Sequence, residues 1–456
     1  MNSCLIIPAP IRSHVIPSFY LASILSQRYQ VTYASLSGEL DELVKANGFE
    51  SIQLQAERFG LGFDPVYNWS RYGQRLSMRF LIHAIFDGLR MKVYKERKKE
   101  IEKIISKLNP ELVIIDIFSS TDFLIIKPLF PDIKIAFFNP MLNTYELEGF
   151  PNVRGHIDDI RKRRENFLDI LKQKTSPMRL IAKLVGYDAS WQISLLYKKY
   201  PILKNFPMDI ENKVIRIFKN IPELILAPQE MEYSAKIIKK NQLYLGLCQK
   251  LDRKDTLLDD SYFLQIEKII SIKKNKGIPL IYCSFGSYFS SLDEHKYIIA
   301  FCLYLIKAFQ EDSIIFVVSV KKEIVEAILR YTNIPVNFHF FFRVPQLKIL
   351  ESADLFITHG GLGSVKEAIQ KQVPMLVYPL DLSWDQKGNA HKIEYHGLGI
   401  SGDFKKDGLL EIKEKIIRLL SDEYFRHNIK KFYDSCTSLD NYSENTDKLF
   451  HLINIV

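Results

Sequence analysis

The chain has 456 residues, of which 47% are hydrophobic and 25% charged, and its formal net charge is +9. These values are ordinary for a soluble globular protein and suggest two or three domains. The five cysteines are scattered and form no Cys-x-x-Cys pair, which argues against a disulfide framework or a zinc site and predicts reduced thiols in the cytoplasm. No apolar stretch is long enough to span a membrane and no basic segment precedes the first apolar run, so we expect neither a transmembrane helix nor a signal peptide.

In the first half of the chain, short apolar runs alternate with helical patterns. The predicted strands cover residues 4–9, 29–34, 51–54, 111–118, 133–138, 224–227 and 243–246. The predicted helices cover residues 16–27 and 39–47 and, as one or two long helices, 76–108, while residues 10–14 are predicted to be a loop. Strands and helices that alternate in this way predict a parallel sheet.

Two segments of this half interrupt the alternation. Residues 55–72 form a loop rich in Gly, Pro and aromatic side chains, and an irregular loop of this length is more often functional than not. Residues 141–206 lack a strand pattern and carry a basic cluster at 161–164. We expect them to be a helical insertion that covers one end of the first domain.

The second half repeats the α/β alternation after a polar, charged stretch at 249–277, which we take as a linker region. The predicted strands are 279–284, 314–319, 336–340, 355–358 and 375–378, and the predicted helices are 292–310, 322–331, 363–371, 385–396 and the final stretch, 409–455. The fold class is therefore α/β, with two doubly wound, Rossmann-like domains that face each other across a cleft and bind ligands at the carboxyl ends of their strands.

The stretch from Ala353 to Ala368 combines a strand, a glycine-rich turn and a helix N-terminus. Ser364 is placed to cap that helix, with Glu367 in its first turn. Backbone N–H groups at such a turn bind anions, the glycines let a phosphate approach closely, and His359 adds a donor that can become cationic. No Gly-Lys-Ser/Thr follows, so the pattern predicts a phosphate or diphosphate site other than a P-loop.

A longer ordered set of residues surrounds this site. It comprises Val344-Pro345-Gln346, His359-Gly360-Gly361, Ser364, Glu367, Val373-Pro374-Met375, Pro379, Asp385-Gln386, Asn389 and Gly397-Leu398-Gly399. The set resembles the donor signature of the UDP-glycosyltransferase family, and the bacterial macrolide- and flavonoid-type members are the most similar. The resemblance is dense over residues 343–399 and loose elsewhere. It implies a GT-B fold whose C-terminal helix crosses back to the first domain.

The resemblance also implies a donor site for a nucleotide sugar. The residues that would reach the diphosphate are Ser284, Gly286, Ser287, His359, Gly361, Gly363 and Ser364. Glu367 would accept hydrogen bonds from the ribose hydroxyls, and Asp385 with Gln386 would bind hydroxyls of a hexose such as glucose. The residues alone leave other roles open: His359 could cap the turn, Glu367 could complement the helix dipole, and Asp385 could cap the following helix.

The chain departs from the family pattern at three places in this site. Gly363 stands where the family usually has Asn, so a backbone N–H or a water must replace that side-chain donor. Val344 and Gln346 also belong to the predicted donor site. Arg343, which precedes them, stands where many relatives have a Trp that stacks on uracil; a guanidinium can also stack on a base, and a thymidine diphosphate donor stays open. The chain is also two residues longer before Asp385, so Trp384 could shape the sugar pocket.

His14 lies after the first predicted strand, at the position of the family's catalytic base. Asp116 ends a later strand of the same predicted sheet, so its carboxylate could reach one nitrogen of the imidazole. The residues alone would equally allow His14 to be an ordinary loop residue and Asp116 to cap the helix that follows. No Asp-x-Asp motif lies at a strand end, so we expect no metal ion.

These inferences predict an inverting, metal-independent hexosyltransferase, with UDP-glucose as the co-substrate, no permanently bound cofactor and a small lipophilic or aromatic acceptor. The predicted domains are 1–248 for the acceptor, 278–438 for the nucleotide sugar and 439–456 for the returning helix. We expect no nucleic-acid partner, a monomer or homodimer, and at most a peripheral contact with a membrane, which the positive charge would favour. The alternatives are another GT-B enzyme, such as a lipid-linked sugar transferase or a nucleotide-sugar epimerase, and a non-catalytic partner of a glycosyltransferase.

Overall fold

The computed structural model describes residues 2–35, 38–59, 86, 89–157, 191–212, 214–256, 258, 260–286, 292–382, 384–438 and 442–454. Within these residues the chain forms two parallel sheets, each flanked by helices. The predicted α/β fold class with two doubly wound domains is confirmed. The predicted loop at 55–72 and the predicted insertion at 141–206, with its basic cluster at 161–164, lie in large part outside the described residues.

The first sheet has the strand order β3-β2-β1-β4-β5-β6-β7. Its strands are β1 Asn2–Ile7, β2 Tyr29–Ser35, β3 Glu50–Gln53, β4 Leu112–Asp116, β5 Lys134–Asn139, β6 Glu223–Ile225 and β7 Gln242–Tyr244. The helices between them are α1 Arg12–Leu25, α2 Glu39–Ala46, α3 Lys92–Leu108 and α4 Phe123–Leu129. Central strands such as β4 are buried along their whole length, which explains why their sequences are continuous apolar runs.

The second sheet has the strand order β10-β9-β8-β11-β12-β13. Its strands are β8 Leu280–Ser284, β9 Ile315–Ser319, β10 Phe338–Phe341, β11 Leu355–Thr358, β12 Met375–Val377 and β13 Gly399–Ser401. Its helices are α5 Asp260–Lys276, α6 Leu292–Phe309, α7 Lys322–Ile328, α8 Gln346–Leu350, α9 Leu362–Gln370, α10 Gln386–Tyr395, α11 Leu409–Ser421 and α12 Glu423–Ser438.

The last helix, α13 Tyr442–Asn454, returns to the first domain. Leu449, Phe450 and Ile453 are buried in the same apolar cluster as the central strands of the first sheet. The Phe450 ring lies 6.3 Å from that of Tyr29, centroid to centroid. This packing confirms that the C-terminal helix crosses back.

Both sheets reverse their strand order at one place, and the reversal determines where ligands can bind. In the first sheet β1 pairs with β2 on one side and with β4 on the other. In the second sheet β8 pairs with β9 on one side and with β11 on the other. The connections from such neighbouring strands leave in opposite directions, which opens a crevice beyond their carboxyl ends.

Three elements differ from the sequence prediction. Helix α1 begins at Arg12 and contains Pro17, so His14 lies in its first turn and not in a loop. Residues 141–157 are irregular and not helical. The polar stretch at 249–277 contains the helix α5, which buries Ile266, Ile269 and Ile270 against the second domain.

The two domains share a continuous apolar core. One cluster of buried side chains includes Ile225 and Met231 from the first domain and Val365 and Ile369 from α9 in the second. Lys366, fully buried on the same helix, donates a hydrogen bond of 2.6 Å to the carbonyl oxygen of Leu226. This contact places the N-terminus of α9 directly at the domain boundary.

Candidate active site

His14 and Asp116 are in contact at the switch point of the first sheet. Because Ile7 of β1 lies opposite Ile115 of β4, the residues that follow both strands come close together. His14 Nδ1 lies 2.8 Å from Asp116 Oδ2, and both side chains are buried. The structure therefore brings together the two residues that the sequence singled out.

The carboxylate of Asp116 is held from three directions. Its Oδ2 also accepts a hydrogen bond of 3.0 Å from the backbone of Ala9, and its Oδ1 accepts one of 2.8 Å from the backbone of Phe118. The bond to Phe118 caps the short helix that follows β4, so the capping role coexists with the contact to His14. An ionised carboxylate only accepts, so Nδ1 of His14 carries the hydrogen and Nε2 is left with the lone pair that a base needs.

His359 lies between two glycine-containing turns at the switch point of the second sheet. A Cβ atom at Gly286 would lie 2.6 Å from His359 Cε1, and one at Gly361 would lie 2.5 Å from His359 Nε2. Both positions therefore exclude any side chain while the imidazole keeps this place. The glycines that were assigned to the diphosphate thus also make room for the histidine ring.

The imidazole of His359 is neutral in this structure. Burial lowers its pKa to about 4, although a hydrogen bond with the Ser284 backbone acts in the opposite direction. Its Nδ1 is buried and has no hydrogen-bond partner among the described residues. Burial thus disfavours the charged form of His359 in the absence of a ligand, and its role as a donor that can become cationic stays a prediction. The unpaired nitrogen marks a place where a further polar group would be accepted.

The N-cap of helix α9 lies three residues before Ser364, the predicted cap. Its N-cap position is Gly361, and no side chain caps it, so Ser364 lies within the first turn and Glu367 within the second. The Ser364 hydroxyl instead accepts a hydrogen bond of 3.1 Å from Nε2 of Gln346. A glycine at the cap leaves the backbone N–H groups of the first turn open to an anion.

Glu367 is buried and has two side-chain partners. Nε2 of Gln346 donates to its Oε2 at 2.6 Å, and the Arg253 guanidinium forms an ion pair with its Oε1. Arg253 was not singled out from the sequence because it lies 114 residues away, in the polar stretch before α5. It is a candidate functional residue, since a donor that uses Glu367 must share or displace this contact.

The segment that carries Arg253 is held by the first domain. Asn47, at the end of α2, donates 2.9 Å to the carbonyl of Lys254 and accepts 3.0 Å from its N–H group. Arg12 donates 3.1 Å to Asp255. The first domain thus positions the Arg253 guanidinium against Glu367 of the second.

Arg343 and Val344 lie on the second-domain side of the same region. Val344 is buried, and Arg343 is partly buried with no hydrogen-bond partner for its Nε among the described residues. Burial lowers the pKa of Arg343, and the positive charge of Arg12 adds to this effect, while Asp255 opposes it. The guanidinium carbon lies 5.8 Å from the centre of the Phe342 ring. The stacking of this guanidinium on a base stays a prediction.

Asn389 links Asp385 to the turn at residues 359–364, which is called the histidine loop below. Asn389 donates 2.8 Å to the carbonyl of Gly360 and 3.0 Å to Oδ2 of Asp385. The amide oxygen of Gln386 accepts from the backbone of Leu380 and Asp381, which leaves the amide nitrogen as its ligand-binding group. Asp385 occupies the N-cap position of α10 but makes no capping bond, so its capping role is not observed.

The carboxylate of Asp385 interacts electrostatically with His14 of the first domain. Burial raises the pKa of Asp385, and Asn389 and a charge on His14 act in the opposite direction. Asp385 and His14 are therefore close enough to interact, although they belong to different domains. Ser287 lies outside the described residues.

Phe118 and Trp384 also border the cleft. The Phe118 ring stacks on the His14 ring, with centroids 4.6 Å apart, and meets the Trp384 ring edge-on at 5.1 Å. Phe118 was missed because an aromatic residue after a strand usually indicates core. Its position two residues after Asp116 was the available signal.

Among the described residues, no cluster of His, Cys, Asp or Glu side chains is arranged to hold a metal ion. In the part of the chain that the structure describes, no helix is long and apolar enough to cross a membrane.

Comparisons with known proteins give consistent matches. Residues 313–452 match the family described as erythromycin biosynthesis protein CIII-like, C-terminal domain. The NDP-glycosyltransferase YjiC of Bacillus subtilis (strain 168) is 34% identical over 152 residues, which are 33% of this chain and 36% of that protein. The oleandomycin glycosyltransferase of Streptomyces antibioticus is 41% identical over 69 residues, 15% of each chain. The matched segments thus span about a third or less of these relatives.

Two solved structures resemble the whole chain. The glycotransferase of kitacinnamycin has a TM-score of 0.65 at 17% identity and covers 99% of both chains. The glycosyltransferase VinC in complex with dTDP has a TM-score of 0.65 at 14% identity and covers 100% of both chains. At such identities the likeness concerns the fold, which is the two-domain GT-B architecture of the glycosyltransferases.

The chain therefore has the GT-B fold. Its C-terminal part resembles the matched glycosyltransferases in sequence.

Proposed function

We propose that the protein is an inverting, metal-independent glycosyltransferase. It transfers a hexose, glucose from UDP-glucose, to a hydroxyl group of a small lipophilic or aromatic natural product. The observation that carries this proposal is the pair His14–Asp116, which lies across the cleft from Asp385 and the histidine loop. An acceptor bound to the first domain and a donor bound to the second would meet between these groups.

The chemistry follows from the positions of the groups. His14 Nε2 removes the proton of the acceptor hydroxyl as its oxygen attacks the anomeric carbon, and Asp116 stabilises the imidazolium that forms. The bond from the anomeric carbon to the diphosphate oxygen breaks, and the diphosphate takes the electron pair. His359 and the backbone N–H groups at the start of α9 stabilise the leaving diphosphate. A single in-line displacement inverts the anomeric carbon, so an α-donor gives a β-linkage.

The donor-binding residues in this proposal are those of the second domain. Glu367 and Gln346 bind the ribose, Ser284, Gly286, Ser287 and the 359–364 turn bind the diphosphate, and Asp385 with Gln386 bind the hexose. Residues 278–438 form the donor domain, residues 1–248 the acceptor domain, and residues 439–456 the returning helix. Thymidine diphosphate sugars are the second candidate donors, because Arg343 replaces the usual Trp and VinC was solved with dTDP.

A comparison of His14 variants tests the proposal. We expect His14→Ala to lower kcat for an aliphatic alcohol by about 10²–10⁴-fold, the usual contribution of a positioned base. The affinity for the nucleotide sugar, measured by calorimetry, should stay unchanged because the donor residues belong to the other domain. Product analysis should show the β-anomer, and activity should persist in excess EDTA. Near-normal turnover of an aliphatic alcohol by His14→Ala would refute the mechanism.

A further inference from the structure

A row of side chains extends from the candidate base across the cleft. His14 stacks on Phe118, Phe118 meets Trp384 at 5.1 Å, and the guanidinium carbon of Arg154 lies 5.6 Å from the centre of the Trp384 ring. Trp384 is 41% exposed, which is unusual for a tryptophan in contact with two other side chains. Trp384 belongs to the second domain and the other three residues to the first, so the row exists only when the domains are assembled.

Arg154 is presented by a tight turn that is packed against α10. Asn152 Oδ1 accepts 2.9 Å from the backbone N–H of Arg154, and its carbonyl accepts 2.8 Å from Gly155. Gly155 has a φ of +73°, and a Cβ atom there would lie 2.6 Å from Lys387 Cγ. Gly388 of α10 approaches the carbonyl of Val153 so closely that no side chain fits. The position of Arg154 is therefore fixed by backbone contacts and not by its own side chain.

The Nε atom of Arg154 is buried and has no hydrogen-bond partner among the described residues. The guanidinium carbon lies over the Trp384 ring. An unsatisfied buried donor carries a desolvation cost, and native structures keep few of them. A guanidinium presents its donors in a planar fork that matches a carboxylate. A guanidinium that is fixed in place, partly buried and unsatisfied at Nε is therefore suited to a ligand with an anionic group.

We propose that Phe118, Trp384 and Arg154 form an acceptor subsite for aromatic molecules that carry a carboxylate at the end opposite the reacting hydroxyl. The hydroxyl lies at His14, the aromatic body lies along Phe118 and Trp384, and the carboxylate pairs with Arg154. This inference rests on the proposed glycosyltransferase function and specifies its acceptor class.

The anion is assigned to the acceptor and not to the transferred sugar for two reasons. Arg154 belongs to the first domain, which also carries the candidate base His14, and not to the predicted donor domain. The neighbour of Trp384 is Asp385, whose carboxylate would lie against the sugar and would repel a second carboxylate there. A sugar acid is therefore disfavoured at the position where a neutral hexose would be bound.

A matched pair of acceptors tests this subsite. The probes are 4′-hydroxybiphenyl-4-carboxylic acid and its primary amide, which have the same shape but differ in charge at pH 7. Binding is measured without a donor, from quenching of the Trp384 fluorescence, with Trp384→Phe as the reference for the other tryptophans. We expect the acid to bind about 10-fold more tightly than the amide to the natural protein, as is typical of a charged hydrogen bond.

Variants of Arg154 separate charge recognition from a structural effect. Arg154→Gln should remove the preference for the acid while leaving the affinity for the amide unchanged. Arg426→Gln, which removes one positive charge from the distant helix α12, should retain the preference. Equal affinities for acid and amide in the natural protein, or an equal loss of both in Arg154→Gln, would overturn the proposal. An effect of Arg154→Gln on the KM for UDP-glucuronate but not on either acceptor would assign the guanidinium to the donor and would also overturn it.

This experiment can fail independently of the proposed function. A preference for the acid without any sugar transfer would contradict the glycosyltransferase assignment alone. Transfer to the acid and the amide with the same KM would contradict the carboxylate subsite alone.

Discussion

The protonation state of His359 provides a direct test of the diphosphate site. Burial lowers the pKa of this imidazole from 6.5 to about 4 in the ligand-free protein. A diphosphate against the ring favours the imidazolium and raises the pKa again. If the bound donor restores the ordinary pKa, the coupling between protonation and binding is worth about 3.4 kcal/mol, at about 1.36 kcal/mol for each unit of pKa.

The assay is calorimetry of UDP-glucose in two buffers of different ionisation enthalpy. UDP-glucose is preferable to UDP, whose terminal phosphate itself titrates near pH 6. With a bound pKa near 6.5, we expect uptake of about 0.9 proton for each nucleotide sugar at pH 5.5 and about 0.1 at pH 7.5. The affinity should increase about tenfold between pH 7.5 and pH 5.5, because the complex holds a proton that the free protein does not.

The His359→Asn variant is the control, since it keeps a polar side chain of smaller size but cannot titrate. It should bind UDP-glucose without proton uptake from this site and with a flatter pH dependence. Absence of proton uptake by the natural protein at pH 5.5, or the same uptake in the variant, would mean that the diphosphate does not contact this ring. The diphosphate assignment of the histidine loop would then be wrong.

Three further predictions concern the residues around this loop. Glu367→Ala leaves the guanidinium of Arg253 buried and without its ion pair, and should lower the free energy of unfolding by about 3 kcal/mol in urea denaturation. Adding Arg253→Met should recover most of this loss. Additive losses in the double variant would contradict an energetic coupling between Glu367 and Arg253. Gly363→Ala should stabilise the fold by about 0.5–1 kcal/mol, because nothing lies within 4 Å of the added Cβ; Gly363→Asn should also bind UDP-glucose about tenfold more tightly through the added donor, and the same gain in the alanine variant would refute that reason. Burial lowers the pKa of Lys366, so the folded chain releases this proton at a lower pH than the unfolded chain does. The free energy of unfolding should therefore increase as the pH rises towards about 10.4, the pKa of a lysine in the unfolded chain. Lys366→Met should remove this contribution to the pH dependence of stability.

The fold was predictable because parallel strands and their carboxyl ends are encoded locally. Strand β11 has the same bounds in the structure as in the prediction, and it is buried on both faces. The contact between His14 and Asp116 could be anticipated because adjacent parallel strands bring the residues after them together. Neither inference required knowledge of how the two domains are arranged.

The remaining differences have physical causes that a local pattern does not contain. Helix α5 was assigned to a linker because its exposed residues are charged, although the spacing of Ile266, Ile269 and Ile270 is helical. The start of α1 was placed too late because the apolar spacing begins near residue 16, whereas the helix starts with the polar residues Arg12, Ser13 and His14. The lowered pKa of His359 could not be predicted, since it depends on how tightly the two turns enclose the ring.

The contacts between the two domains could not be predicted from the sequence either, and we expect them to influence donor and acceptor specificity. Each domain supplies its central groups from its own switch point, so His14 and His359 are fixed before the domains meet. Arg253 and Arg154 instead reach from the first domain, or from the segment that it holds, to Glu367 and Trp384 of the second. Neither arginine lies in a helix or strand of either domain. Differences in donor or acceptor preference between proteins of this fold are therefore expected to lie in residues of this kind more than in the motif itself.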